Sequence, residues 1–174
     1  MMADTARLFL GLEISPEARD ALTHVRHTLE AHHVQGKLYN APLYHLTLCF
    51  LGNTPKSAIP LISSLMDSLD AEPFSLTLHG TGSFKGSILW AGVQPSQSLM
   101  DYQAALSQSL RNAGFPLEED EYRPHITLGR QVKFPIPQVE IPEVSFRVMH
   151  ATLFESTRVD GVLTYVPLYR SVFH

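Results

Sequence analysis

The tetrad His45-Leu46-Thr47-Leu48 returns as His125-Ile126-Thr127-Leu128, with histidine and threonine each displaced by 80 residues (125 − 45 and 127 − 47). Pro42 and Pro124 stand just ahead of the two copies. Successive side chains of an extended strand leave on opposite faces, so the histidine and threonine of each copy share one face. Leu46, Leu48, Ile126 and Leu128 point the other way, into a core. A chain that carries this pattern twice must bury two aliphatic strand faces and keep two His-Thr faces accessible. We therefore expect two similar lobes facing across a cleft.

The remaining segments fit an α+β layout of mainly antiparallel strands. Arg7 to Ile14 reads as a strand. Ser15-Pro16 then starts a helix over Glu17 to about His32, with Ser15 as N-cap and Ala18, Leu22, Val25 and Leu29 on one buried stripe. Gly52-Asn53-Thr54-Pro55 is expected to stop the first His-Thr strand and cap a second helix reaching about Leu69. Phe74–Phe84 and Ser87–Val93 form a hairpin around Lys85-Gly86, its second arm central because it is apolar throughout. Ser96 to Ala113 is a third amphipathic helix, stopped by Gly114. Glu118 to Glu121 reads as a solvated loop, and Pro135, Pro137 and Pro142 as a stiff link. Two closing strands, Val144–Ser156 and Leu163 to about Val172, turn near Asp160-Gly161.

Size and charge narrow the function. The 174 residues allow one sizeable core or two small lobes. No apolar run is long enough to cross a bilayer, and Met1 to Arg7 lacks the apolar core of a leader peptide. One cysteine, Cys49, excludes an internal disulfide and fits a reducing, cytoplasmic setting. A formal charge of −4 argues against broad wrapping of nucleic acid, so any RNA or nucleotide is gripped locally, at one end or one phosphate.

Two imidazoles on opposed strands have the makings of a general acid and a general base, since each titrates near an ordinary pKa of about 6.5. Metal-free phosphodiester hydrolysis needs that pairing. One imidazole takes a proton from water and the other gives one to the departing oxygen. Threonine hydroxyls on the same face donate to non-bridging phosphate oxygens.

These tetrads resemble the paired HxTx motifs of the 2H phosphoesterase superfamily. Within it the chain is most similar to the bacterial and archaeal RNA 2′,3′-cyclic phosphodiesterases, historically called 2′-5′ RNA ligases. Arg7-Leu8-Phe9, the run His45 to Gly52, Trp90, Arg123 to Arg130 and Tyr165-x-Pro167-Leu168 extend the likeness over nearly the whole chain. The resemblance implies a single domain over residues 1–174, bilobal and pseudo-symmetric, with sheet inside and helices outside. It implies opening of an RNA 2′,3′-cyclic phosphate to a 2′-phosphomonoester without metal or other cofactor, and reversible 2′-5′ joining is the same bond handled backwards. Substrates would be RNA ends, tRNA fragments among them, acted on by a monomer.

By the same resemblance His45 is the proton donor to the leaving 3′ oxygen and His125 the group that activates water; the near-equivalent motifs do not orient the pair by themselves. Thr47 and Thr127 bind phosphate, and Arg130 matches a phosphate-contacting arginine. Strict alternation from His125 puts Arg130 on the wrong face, so it reaches the cleft only if the strand ends or bulges near Gly129. Arg123 is a second candidate, and Phe9, Tyr122 and Trp90 are aromatic surfaces for a base or, more simply, for the core.

Three rival chemistries can be weighed. Alternation puts Cys49 on the His45 face, which permits a Cys–His nucleophile, but its counterpart is Gly129 and a thiol leaves the second threonine unexplained. A metal hydrolase lacks any Asp or Glu beside either motif. A non-catalytic RNA-binding module has no use for two histidines. Among enzymes, a phosphodiesterase for small cyclic nucleotides or an ADP-ribose cyclic phosphate is the alternative to one for RNA ends.

Overall fold

The computed structural model describes residues 4–118 and 121–174. Helix α1 (Pro16–Ala31) begins where Ser15 Oγ accepts the Ala18 amide at 3.1 Å, and it buries Ala18, Leu22, Val25 and Leu29 as expected. Helix α3 (Gln97–Asn112) repeats the device with Ser96 Oγ and the Leu99 amide at 3.2 Å, and Gly114 follows its end at φ +96°. That conformation suits glycine at a helix C-terminus. Helix α2 is shorter, Ile59–Asp67, and buries Ile62 and Met66.

Strands β1 (Thr5–Glu13), β2 (Lys37–Leu38), β3 (His45–Pro55), β4 (Phe74–Phe84), β5 (Ile88–Val93), β6 (Ile126–Arg130), β7 (Ser145–Val148), β8 (His150–Val159) and β9 (Val162–Val172) form one sheet. Its order is β7-β4-β5-β6-β3-β1-β8-β9, with β2 added on β6 and every pairing antiparallel. The motif strands β3 and β6 are the central neighbours, each continuing outward through three more strands. Both hairpin turns read from the sequence are present: Lys85-Gly86 at φ 54° and 68°, and Asp160-Gly161 at φ 52° and 78°. Two consecutive left-handed residues close such hairpins with the twist the strands require. Of the acidic loop, Glu119 and Asp120 lie outside the described residues.

Two expectations are corrected. Gly52 to Pro55 do not stop β3: the strand admits an extra residue at Leu51, between the pairs Phe9–Phe50 and Leu8–Gly52, and runs on to Pro55 opposite Thr5. The stretch Val144–Ser156 is not one strand but two, divided at Met149. β7 pairs with β4 at one flank of the sheet, and β8 pairs with β1 near the other.

That division dictates the sheet's shape. Six strand spacings separate β7 from β8, about 29 Å if the sheet were flat. Two residues reach at most about 7 Å. The sheet must therefore curl until its flanks meet at Met149. Phe74 and Phe173 stack across this junction with centroids 6.0 Å apart. No helix among the described residues is long and apolar enough to cross a membrane.

Candidate active site

The two motif strands meet at one rung, Leu46 opposite Ile126. Continuing that antiparallel register by one residue sets His45 against Thr127 and Thr47 against His125. Leu46 and Ile126 are fully buried, as the alternation demanded. Behind them α3 closes the core: Gln103 Nε2 donates to the Leu48 carbonyl at 3.1 Å.

Both histidines are oriented by one device. Nδ1 of His45 donates to the Leu43 carbonyl at 2.9 Å, and Nδ1 of His125 to the Arg123 carbonyl at 2.7 Å. A carbonyl only accepts, so each Nδ1 carries hydrogen and each neutral ring presents Nε2 as an acceptor. At His45 that acceptor already has a donor, the Thr47 hydroxyl at 2.7 Å. Burial pushes His45 down to about 4, against the Leu43 bond and helped by the nearby charge of His125. Burial also lowers His125, against the Arg123 carbonyl, and the Arg130 charge adds to the effect. Both rest as neutral imidazoles at neutral pH.

Aromatic rings fix each imidazole. His45 lies 4.8 Å from Phe9, 5.8 Å from Phe154 and edge-on to Tyr165 at 5.1 Å, centroid to centroid. Beneath it Gly11 leaves just enough room, since a Cβ there would meet His45 Cδ2 at 3.2 Å and the Leu46 carbonyl at 3.0 Å. His125 packs edge-on to Phe84 at 4.8 Å, with Trp90 at 6.3 Å.

The strand faces do not follow strict alternation, and the departures come in a matched pair. On β6, Thr127 pairs with Trp90 and Gly129 with Leu89, which makes Leu128 an extra residue. On β3, Thr47 pairs with Gly11 and Cys49 with Leu10, so Leu48 is extra. These bulges fall at the fourth residue of both tetrads. Each inverts the faces beyond it. Arg130 is thereby turned toward the cleft by a bulge next to Gly129, as expected, and its Nε donates to Tyr39 Oη at 2.7 Å. Cys49 is turned inward, 6% exposed and 3.3 Å from Ser107 Oγ, with its thiol pushed up by burial. The sequence expectation that put Cys49 on the His45 face is corrected, and the thiol nucleophile goes with it.

A cavity of about 560 Å³ occupies this face. His45, Thr47, Thr127, Arg130 and Phe9 line it, with Arg7, Lys37, Tyr39, Phe50, Ser156, Thr157, Arg158, Leu163 and Tyr165. His125 stands beside it rather than in its wall. Arg123 is exposed, 4.0 Å from Glu121, and serves the site through its carbonyl rather than its guanidinium. Tyr122 donates to the Thr47 carbonyl at 2.7 Å and so braces the motif strand. Phe50 escaped sequence reasoning although the repeat interval pointed to it, because 130 − 80 = 50 makes it the counterpart of Arg130. Among the described residues no three His, Cys, Asp or Glu side chains gather as metal ligands would.

The model of the 2′-5′ RNA ligase superfamily matches residues 12–160. The chain belongs to the 2′-5′ RNA ligase superfamily. Two curated relatives place this superfamily member further. It is 30% identical to an RNA 2′,3′-cyclic phosphodiesterase of Methanothermobacter thermautotrophicus over 144 residues, 79% of this chain and 77% of that protein. It is 29% identical to the RNA 2′,3′-cyclic phosphodiesterase of Escherichia coli K12 over 175 residues, 97% of each. The crystal structure of E. coli LigT complexed with 3′-AMP has the same fold, with a TM-score of 0.83 at 28% identity over 98% of this chain and 99% of that one. The α+β fold and the family inferred from the paired tetrads are thus confirmed.

Proposed function

We propose that the protein opens 2′,3′-cyclic phosphates at RNA ends to 2′-phosphomonoesters, with the paired histidines as acid and base and no metal in the chemistry. One observation carries the reading: the Leu46–Ile126 rung joins two His-x-Thr units beside a single cavity bearing an arginine. The activity named for the relatives supports it.

The phosphate enters as an anion and stabilises the imidazolium form that burial disfavours, so substrate binding itself charges the site. Protonation of His45 at Nε2 ends its role as acceptor for Thr47. The freed hydroxyl turns to a non-bridging oxygen, joined by Thr127 and the Arg130 guanidinium. His125 Nε2 takes a proton as water attacks phosphorus, the P–O3′ bond breaks, and His45 returns a proton to O3′. The two rings have then exchanged protonation states, and solvent resets them. A ribose 5′-hydroxyl in place of water gives a 2′-5′ linkage by the same transfers, which is the ligation reading.

The direction of proton flow follows the family likeness, and a leaving-group substitution tests it. A cyclic substrate with sulfur at the 3′ position needs little help from an acid. His45→Ala should regain most of its lost rate on that substrate, and His125→Ala should not. The opposite pattern exchanges the roles; no turnover of any cyclic phosphate by the intact protein overturns the proposal and leaves a binding module.

A further inference from the structure

The pseudo-symmetry that builds the active site is broken on one side, and the break has a direction. Arg130 and its counterpart Phe50 both turn into the cavity beyond their bulges, one a cation and the other an aromatic ring half exposed to solvent. Beyond Phe50 the β1–β8–β9 flank continues the same face. On β1, whose alternation against β8 is uninterrupted, Arg7, Phe9 and Gly11 share that face, and Gly11 is the partner of Thr47. Arg7 therefore stands four strand residues from the level of the reaction, about 13 Å along β1. Continuing the β1–β8 register past Leu8–Glu155 puts Ser156 across from Arg7, and Arg158 follows two residues later on the same face. On the opposite flank, none of the strand residues of β4 or β5 lines the cavity.

The cavity carries cations on both sides, Lys37 and Arg130 beside β6 and Arg7 and Arg158 on β1 and β8. Among the described residues, neither Arg7 nor Arg158 has a carboxylate within ion-pair distance, in a chain with four more acidic than basic groups. Arg7 lies instead over the Phe50 ring, 5.7 Å from its centroid. Arg158 is steadied by its own hairpin, Nη1 donating to the Gly161 carbonyl at 3.1 Å. Two exposed guanidiniums, a serine hydroxyl and a ring thus share this flank, with the backbones of Arg7, Ser156 and Arg158 set back along the strands from the level of Thr47.

We propose that this flank is a track for the RNA strand upstream of the cyclic phosphate: Phe50 stacks a base, and Arg7 with Ser156 and Arg158 holds phosphates of preceding nucleotides. It rests on the function proposed above and sharpens it: the preferred substrate is an oligonucleotide end rather than a cyclic mononucleotide. Stacking on an aromatic face tolerates any base, and guanidinium–phosphate contacts carry no sequence information, so the track reads length and not sequence.

The test compares mono-, di- and trinucleotides ending in a 2′,3′-cyclic phosphate. In the wild-type protein kcat/KM should rise with each added nucleotide. Arg158→Gln and Arg7→Gln should each lose roughly tenfold on the trinucleotide, with a loss that grows with substrate length. For binding of a non-reactive trinucleotide 2′-phosphate, the salt slope should fall by about 0.7 per phosphate contact removed. Equal kcat/KM for mono- and trinucleotide, or arginine variants that lose equally on both, overturns the track while leaving the phosphodiesterase intact. If no cyclic phosphate is turned over, the trinucleotide 2′-phosphate still decides: tighter binding than the mononucleotide, abolished in Arg158→Gln, upholds the track, and equal binding removes it.

Discussion

Leu46 is the antiparallel partner of Ile126, the residue that holds its own place in the second tetrad. A residue paired with its own repeat counterpart lies on a local two-fold axis, and the side chains on either side are then arranged by that axis. Histidine of one copy is brought against threonine of the other. The ladder sets the level of the reacting groups, and the segments just ahead of the two strands, through the Leu43 and Arg123 carbonyls, set how the imidazoles turn.

The pH profile should show the cost of burying both imidazoles. Burial lowers His45 to about 4 and His125 below its ordinary value. In the proposed mechanism the working state has one of the two protonated, so in free enzyme it would exist only between the lowered values of the coupled pair. The optimum of kcat/KM should lie below about pH 6.5, falling as pH rises through the upper value. The optimum of kcat should lie at higher pH, because bound phosphate stabilises imidazolium. Coincident optima would contradict this account.

The two threonines should fail differently. Thr127→Val removes a hydroxyl that the proposed mechanism turns to phosphate, and Thr47→Val removes another together with the donor to His45 Nε2 at 2.7 Å. Each should cost roughly ten- to a thousandfold in kcat. Only Thr47→Val should also raise the pKa of His45, readable by NMR titration of the imidazole, since the bond it loses holds the neutral ring.

Gly11→Ala probes the seat of His45. The new methyl would stand 3.2 Å from the imidazole and 3.0 Å from the Leu46 carbonyl, and the carbonyl belongs to the rigid central ladder. The ring is the part that moves. We expect kcat to fall about tenfold or more, since small misplacements of a proton-transfer group are costly, while the melting temperature drops only a few degrees.

Gly82→Ala should act on the fold as well as on the seat of His125. Its Cβ would sit 2.2 Å from the Trp90 ring, beside the ring that packs near His125. Displacing a ring of that size should cost about 1–3 kcal/mol, read as a lower urea midpoint.

Glu13 gathers four hydrogen bonds, from His150, Thr152 and twice from Arg170, at 2.7–3.0 Å. The Arg170 guanidinium leads in holding its carboxyl at about 2, against burial and with His150 and Thr152 assisting. A carboxyl lowered on folding stabilises above its unfolded value and loses that contribution as pH falls through its folded one. Glu13→Gln should therefore cost about 2 kcal/mol in urea unfolding at pH 7, and the difference from wild type should shrink steadily below about pH 4.

The duplicated tetrad, the serine caps, the Lys85-Gly86 turn and the helix stripes were all legible in the sequence, because each is governed by neighbours within a few residues. The bulges were not. Alternation assumes one residue per rung, and nothing local announces the extra Leu48 that turns Cys49 inward and Phe50 outward. The break at Met149 was equally hidden, since Val144–Ser156 is uniformly strand-like and only pairing with β4 and then β1 divides it. Arg7, Arg158 and Tyr165 come from opposite ends of the chain, and the β1–β8–β9 order alone brings them to the cavity. The interval of 80 would have found Phe50 had it been carried five residues past His45.

Met149 has a mechanical meaning. The chain leaves one leaf of the sheet and enters the other there with a single residue between, so the two leaves share a spine as the pages of a bound book do. Spreading them requires the backbone at that spine to bend or the flanking ladders to tear. The gape between the leaves is consequently set when the protein folds, and a ligand must fit the opening it finds.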